Sequence, residues 1–157
     1  MKDISLEDYR ALAEFRYQIR SFLRFSEEQA RSYGLEPQQH QLMLAVKGLR
    51  QERRATIREL AGRLHLKHHS TVELVDRLEA RGAVVRTQGL EDRREVIVEL
   101  TRSGEAVLRK LSLAHHEELQ RKGPALIRAL NAIVRASRKH DVKLQLLTHG
   151  FGETGNS

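Results

Sequence analysis

The run Thr56-Ile57-Arg58-Glu59-Leu60-Ala61-Gly62-Arg63-Leu64, followed after a short break by Thr71-Val72-Glu73-Leu74-Val75-Asp76-Arg77-Leu78-Glu79-Ala80-Arg81-Gly82, decides the fold. Thr56 and Glu59 stand at the spacing of a capping box, in which a hydroxyl accepts from the third backbone N–H and a carboxylate reaches back. Leu60, Ala61 and Leu64 then form one apolar face at helical spacing. Leu66 falls in the turn. Thr71, Leu74, Val75 and Leu78 recur at i, i+3, i+4 and i+7, so a second helix turns that face to the core. His69, Val72, Glu73 and Asp76 are left on its other side, flanked by Ser70 and Arg77. Gly82 ends the helix, because glycine accepts the left-handed conformation that closes one. Two β-type runs follow, Ala83-Val84-Val85-Arg86-Thr87 and Glu95-Val96-Ile97-Val98-Glu99-Leu100, around the loop Glu91-Asp92-Arg93-Arg94. Helix, turn, helix and basic-tipped hairpin, in that order, predict a winged helix-turn-helix over residues 56–101, with one helix for a DNA major groove and an arginine loop beside it. A plain αα-hairpin joined to a β-hairpin, with no nucleic-acid role, satisfies the same local patterns.

Outside this segment the pattern is helical. Residues from about 6 to 32 carry Leu12, Phe15, Ile19 and Phe22 on one stripe with no internal glycine or proline. Gly34 and Pro37 punctuate, and Gln38 to Leu49 form a second helix with Leu42, Ala45, Val46 and Leu49 inward. Thr101 caps a long helix bearing Val107, Leu108, Leu111 and Leu119. Gly123-Pro124 is expected to break it, with the proline in the first turn of a last helix carrying Leu126, Leu130, Ile133 and Val134. The expected architecture is mainly α with a small β-hairpin wing: a DNA-binding lobe over 35–103, a helical lobe from 5–34 plus 104–149, and a glycine-rich, disordered tail at 150–157. A winged lobe of that size cannot cover the stripes of the first and last helices. These can pack on each other within one chain or against a second copy, and the favoured reading is a helical homodimer suited to a palindromic site.

Composition agrees. Twenty-eight Lys and Arg against 21 Asp and Glu give a net charge of +7 and a pI near 10.1, the electrostatic footprint of a nucleic-acid binder. No apolar run approaches the ~20 residues of a membrane span, and no signal-peptide pattern opens the chain, so a cytoplasmic setting is expected. The absence of cysteine removes disulfides, thiol redox sensing and cysteine-ligated zinc. No glycine-rich phosphate loop, nucleophile elbow or metalloprotease signature points to an enzyme, and no catalytic residues or cofactor are assigned.

The helix-turn-helix runs quoted above, with Asp92-Arg93-Arg94 and Leu100-Thr101-Arg102-Ser103-Gly104, resemble the DNA-binding motif, wing and following helix of the MarR (multiple antibiotic resistance regulator) family. The resemblance extends over about residues 6–148. It implies a homodimeric transcription factor, usually a repressor, with the terminal helices at the dimer interface. It also implies small phenolic or carboxylate effectors that bind between that interface and the winged lobe and release DNA.

Contacts with double-stranded DNA are assigned by type. Lys67, His68, His69 and Ser70 open the recognition helix, where backbone N–H groups favour phosphate. His69, Ser70 and Glu73 are candidates for base edges, Glu73 by accepting from a cytosine amino group. Arg63 and Arg77 are read as phosphate clamps. Glu73 and Asp76 put negative charge on the presented face, a departure from a basic recognition helix; Asp76 is expected to pair with a neighbouring arginine. By resemblance, Asp92 supports the wing while Arg94, or else Arg93, enters the minor groove.

Eight histidines raise a metal reading, and some relatives sense zinc, so a zinc-responsive regulator of the same fold is an alternative. His68-His69 and His115-His116 are adjacent pairs, however, and side chains at i and i+1 diverge by about 100° on a helix. Glu117 and Glu118 could add oxygens without fixing a tetrahedral set, and no metal ligands are assigned. His40 beside an organic-anion pocket, with Arg16 as charge partner, is the preferred role for a histidine. The remaining alternative is a non-specific architectural or protein-interaction module on the same fold.

Overall fold

The computed structural model of the chain describes residues 4–49, 54–89 and 94–149, with side chains through residue 135. In chain order its elements are α1 (Leu6–Ser32), α2 (Pro37–Gly48), α3 (Ile57–Leu64), α4 (His68–Ala80), β1 (Val84–Gln88), β2 (Val96–Leu100) and α5 (Arg102–His149). The mainly helical class with a two-stranded antiparallel hairpin is the expected one.

Local chemistry explains most boundaries. Pro37 opens α2, where its missing N–H costs nothing, and the Gln39 side chain accepts from the Glu36 N–H at 2.9 Å. The Thr56 hydroxyl accepts from the Glu59 N–H at 3.2 Å, as the cap spacing requires. Between α3 and α4, His65 takes the left-handed conformation at φ 52°. The Leu66 N–H then reaches back to the Ala61 carbonyl at 3.0 Å, a closure usually given to glycine. Gly82, at φ 68°, performs that role after α4.

The chain divides into two compact units, one of residues 25–117 and one of residues 1–24 with 118–157. The first, the winged unit, holds α2 to α4, the hairpin and the adjoining turns of α1 and α5. Its core joins Leu35, Leu42, Met43, Leu60, Leu74, Val75, Leu78, Val84, Val98, Leu108 and Leu111, all 5 % exposed or less. The four α4 residues expected inward, Thr71, Leu74, Val75 and Leu78, are all buried. In the hairpin Val84 pairs with Leu100 and Arg86 with Val98, and the Val98 N–H donates to the Ala55 carbonyl at 2.9 Å, tying β2 to the segment before α3.

The hairpin is locked onto the start of α5 by side chains. Thr101 and Ser103 hydroxyls both donate to the Gly82 carbonyl, at 2.6 and 2.9 Å, and Thr101 Oγ1 accepts from the Gly104 N–H at 3.0 Å. A Cβ on Gly104 would lie 2.0 Å from the Ala83 carbonyl oxygen, so only glycine admits this close approach.

The expected break at Gly123-Pro124 does not occur: α5 is continuous through both residues. An interior proline costs ~3 kcal/mol through a lost hydrogen bond and a ring clash. Here the residue before the ring is glycine, which removes the clash with a preceding Cβ. The flanking turns are rich in Leu, Lys, Arg and Ala, which favour the helix. Within the helical unit, Lys122 ties the same stretch down by donating to Ser21 Oγ at 3.1 Å and pairing with Glu118 at 2.9 Å.

The helical unit buries little of its own apolar surface. Leu12, Leu119, Leu130 and Val134, four members of the expected stripes, are 41–46 % exposed. The segment 150–157, expected to be a disordered tail, lies outside the described residues.

Candidate nucleic-acid interface

Burial of Thr71, Leu74, Val75 and Leu78 leaves one face of α4 looking outward. His68, His69, Glu73, Asp76 and Arg77 are exposed there, and Ser70 is half-buried. Lys67 is the residue before the helix and keeps an exposed side chain. Its carbonyl accepts from the Thr71 N–H and hydroxyl, both at 3.1 Å, which anchors the first turn. The residues expected at the start of a recognition helix are therefore on one solvent-facing end of it.

The two expected clamps are ion-paired on the surface. Arg63 donates to Glu59 at 3.2 Å one turn back along α3, and Arg77 to Glu36 at 3.2 Å before α2. Exposed pairs of this kind are worth ~0–1 kcal/mol, so a phosphate can compete for either guanidinium.

Asp76 pairs with an arginine, as expected, and the partner is Arg86 on β1. Arg86 Nη2 donates to Asp76 Oδ1 at 2.6 Å and to the Val72 carbonyl at 3.5 Å, while Nη1 donates to Glu79. The Arg86 backbone N–H also donates to Glu79, at 3.0 Å. Partial burial works against the Arg86 charge, but the hydrogen bonds that it donates to Asp76 and Glu79 outweigh it and hold its pKa above the ordinary value. The sequence reading missed Arg86 as a functional residue. A detectable signal was there: two carboxylates at i and i+3 near the end of one helix, with a lone arginine on the next strand.

Arg94 is exposed and lies in the turn leading to β2. Next to it, Glu95 accepts from Arg54 at 3.0 Å, fixing the base of that strand. Asp92 and Arg93 lie outside the described residues.

Arg16 and His40 have different settings. Arg16 is exposed on the part of α1 that belongs to the helical unit. His40 is 3 % exposed in the winged unit, its ring centroid 4.8 Å from that of His115. Burial, and secondarily the neighbouring His115, push the His40 pKa down from 6.5 to about 4, so it is neutral at physiological pH. His115 bridges the Leu111 carbonyl through Nδ1 at 2.6 Å and Ser26 Oγ through Nε2 at 2.8 Å. A carbonyl can only accept, so Nδ1 carries a proton. Phe25 meets the same ring edge-on at 5.6 Å. Of the His115-His116 pair, His40 is therefore in ring contact with His115. Among the described residues no group of three His, Cys, Asp or Glu could hold a metal ion.

A separate pocket of about 410 Å³ opens in the winged unit between α2, the end of β2 and α5. Leu44, Leu100 and Leu108 give it apolar walls, and Lys47, Arg109 and Ser112 supply polar groups. Lys47 spans to Glu105 at 2.5 Å across its rim. No described helix is long and apolar enough to cross a membrane.

This geometry is shared with known proteins. Residues 40–96 match the MarR family model. No curated protein sequence matches the chain. Among solved structures, AbsC, a MarR family transcriptional regulator from Streptomyces coelicolor, is similar with a TM-score of 0.68 at 18 % identity, over 92 % of this chain and 99 % of that one. A cysteine-to-serine mutant of MarR from E. coli gives 0.61 at 21 % identity, over 93 % and 99 %. BpsR from Bordetella bronchiseptica, whose DNA binding is regulated by 6-hydroxynicotinic acid, gives 0.58 at 17 % identity, over 78 % and 89 %. Residues 40–96 therefore carry the match to the MarR family model, and the fold around them is the one seen in solved MarR-family transcriptional regulators.

Proposed function

We propose that this chain is a sequence-specific, double-stranded-DNA-binding transcriptional repressor that acts as a homodimer on a palindromic operator. The observation that carries this reading is the outward face of α4 beside a hairpin whose loop presents Arg94. His69, Ser70 and Glu73 read base edges in the major groove; Lys67, His68, Arg63 and Arg77 hold phosphates. Arg94 enters the minor groove, with Arg93 as second contact and Asp92 as support. The exposed apolar stripes of the helical unit supply the face for a second copy.

A ligand response belongs to the same reading. The 410 Å³ pocket has the apolar walls of a small aromatic site, and the Lys47–Glu105 pair at its rim can open to a carboxylate or phenolate. BpsR, with a related fold, answers to an aromatic acid of that chemistry. Release of DNA follows if the effector favours a state in which the two recognition helices no longer match the operator.

Selection of duplexes from a random pool tests the DNA reading. A single enriched inverted repeat is expected, and Arg94→Ala should weaken its binding most strongly on A·T-rich flanks, where a narrow minor groove concentrates negative potential. The slope of log affinity against log salt should fall by about one for the lost charge contact. Binding that unrelated DNA abolishes would instead support an architectural role.

A further inference from the structure

A single guanidinium is positioned to hold the wing to the recognition helix. Arg86 reaches Val72, Asp76 and Glu79, which lie at i, i+4 and i+7 and so span ~10 Å along one face of α4. The Glu79 carboxylate takes both the backbone N–H and the side chain of Arg86, so the strand's main chain is fixed as well as its side chain. That N–H is free to do so because Arg86 faces Val98 across the ladder at a position whose amide points away from β2. The side chain is 25 % exposed and those of Asp76 and Glu79 are 58 % and 38 % exposed, so the set lies at the edge of the surface that α4 presents.

We propose that Arg86 is a positioning residue for DNA recognition: by clamping β1 to Asp76 and Glu79 it fixes the angle at which the wing and α4 meet DNA together. The proposal rests on the DNA-binding reading above. Its physical basis is that a two-stranded ribbon alone is only marginally stable, so its orientation must come from what it is tied to. A planar guanidinium forked between two carboxylates fixes orientation as well as distance, which a lysine ammonium cannot. The clamp also accounts for the acidic residues on a recognition helix. Asp76 and Glu79 serve the wing, leaving Glu73 as the carboxylate offered to a base.

The test is a double-substitution cycle on the duplex enriched by the parent chain. Arg86→Met should weaken binding ~10-fold or more, the scale of one lost charge-assisted contact. Arg86→Lys should lose most of that despite keeping its charge. Arg94→Ala, expected to cost ~10-fold in the parent, should cost under ~3-fold in the Arg86→Met background, because a wing already out of place has less to lose. Thermal unfolding of each variant separates this from misfolding, and Arg86→Lys serves as probe if Arg86→Met does not fold. Full retention of affinity in Arg86→Lys, additive losses for Arg86 and Arg94, or no loss on Arg94→Ala in the parent would each overturn the clamp. Failure of the parent to enrich any duplex would instead overturn the DNA-binding reading itself.

Discussion

The two units of this chain treat apolar side chains in opposite ways. Residues 25–117 close over theirs, with Leu42, Met43, Leu60, Val75, Leu78 and Leu111 fully buried. Among the residues of the other unit whose side chains are described, Glu118 and Ala129 alone are buried, while Leu6, Tyr9, Leu12, Tyr17, Leu23, Leu119, Ile127, Leu130 and Val134 are 41–64 % exposed. The difference follows from geometry. Three helices and a hairpin packed on one another enclose a volume, whereas lengths of two long helices can share only one line of contact. An apolar surface this large on a chain of net charge +7 is the kind that marks a binding face, and the homodimer proposed above would cover it with a second copy carrying the same stripes.

The most disruptive way to break that contrast is to charge the helical face. Ile127→Glu with Leu130→Glu places two carboxylates on residues now 59 % and 46 % exposed. In an isolated monomer such surface changes cost within about 0.5 kcal/mol. In a dimer they bury unpaired charge and cost several kcal/mol per subunit. Sedimentation of the parent should give twice the 18.1 kDa chain mass, and the double variant should sediment as a monomer or unfold. A parent that is monomeric at micromolar concentration would leave the contrast without its explanation.

What was legible in the sequence follows the same division. In the winged unit several boundaries are set by a residue acting on its near neighbours: Pro37 at the start of α2, Thr56 on Glu59, and Gly82 after α4. The alternation of α4 could therefore be read without knowledge of anything distant. The Gly123-Pro124 break was misjudged for the same reason. Local rules stop a helix there, but a glycine before the ring and the anchoring of Lys122 to Ser21, 101 positions away, let it continue. Arg86 was missed as a clamp because its partners lie 7 and 10 positions earlier on another element, and the paired carboxylates of α4 were the one sequence signal that pointed to it. His40 was read as a ligand-facing residue, and only the fold shows it buried against His115.

That buried pair gives the winged unit a pH dependence of its own. The His40 pKa falls from 6.5 in an open chain to about 4 in the fold, so between those values the unfolded state binds more protons. The associated stability is complete above pH ~6.5 and is lost as pH falls toward ~4, by at most about 3 kcal/mol at ~1.4 kcal/mol per pH unit. Urea unfolding of the parent and of His40→Leu between pH 7.5 and 4.5 isolates the contribution as the difference between two curves. Parallel curves would mean that His40 is hydrated in solution and that the winged core is not closed at this point.

The smallest expected effect is also the most selective. His65 holds a left-handed conformation at φ 52°, where a side chain costs ~1 kcal/mol and glycine almost nothing. His65→Gly gives part of that back in unfolded-chain entropy, so a net gain of ~0.5 kcal/mol is expected. Its location makes the substitution informative, because the turn lies between α3 and α4 and touches only the winged unit. If the helical unit is completed by a second copy and folds together with the winged unit, a single calorimetric transition should move up by ~1–2 °C for a chain of this length. If the units unfold separately, only the transition of the winged unit should move, and the concentration-dependent one should stay in place. A lowered transition would show that the His65 side chain makes a stabilising contact in the turn that outweighs its conformational cost.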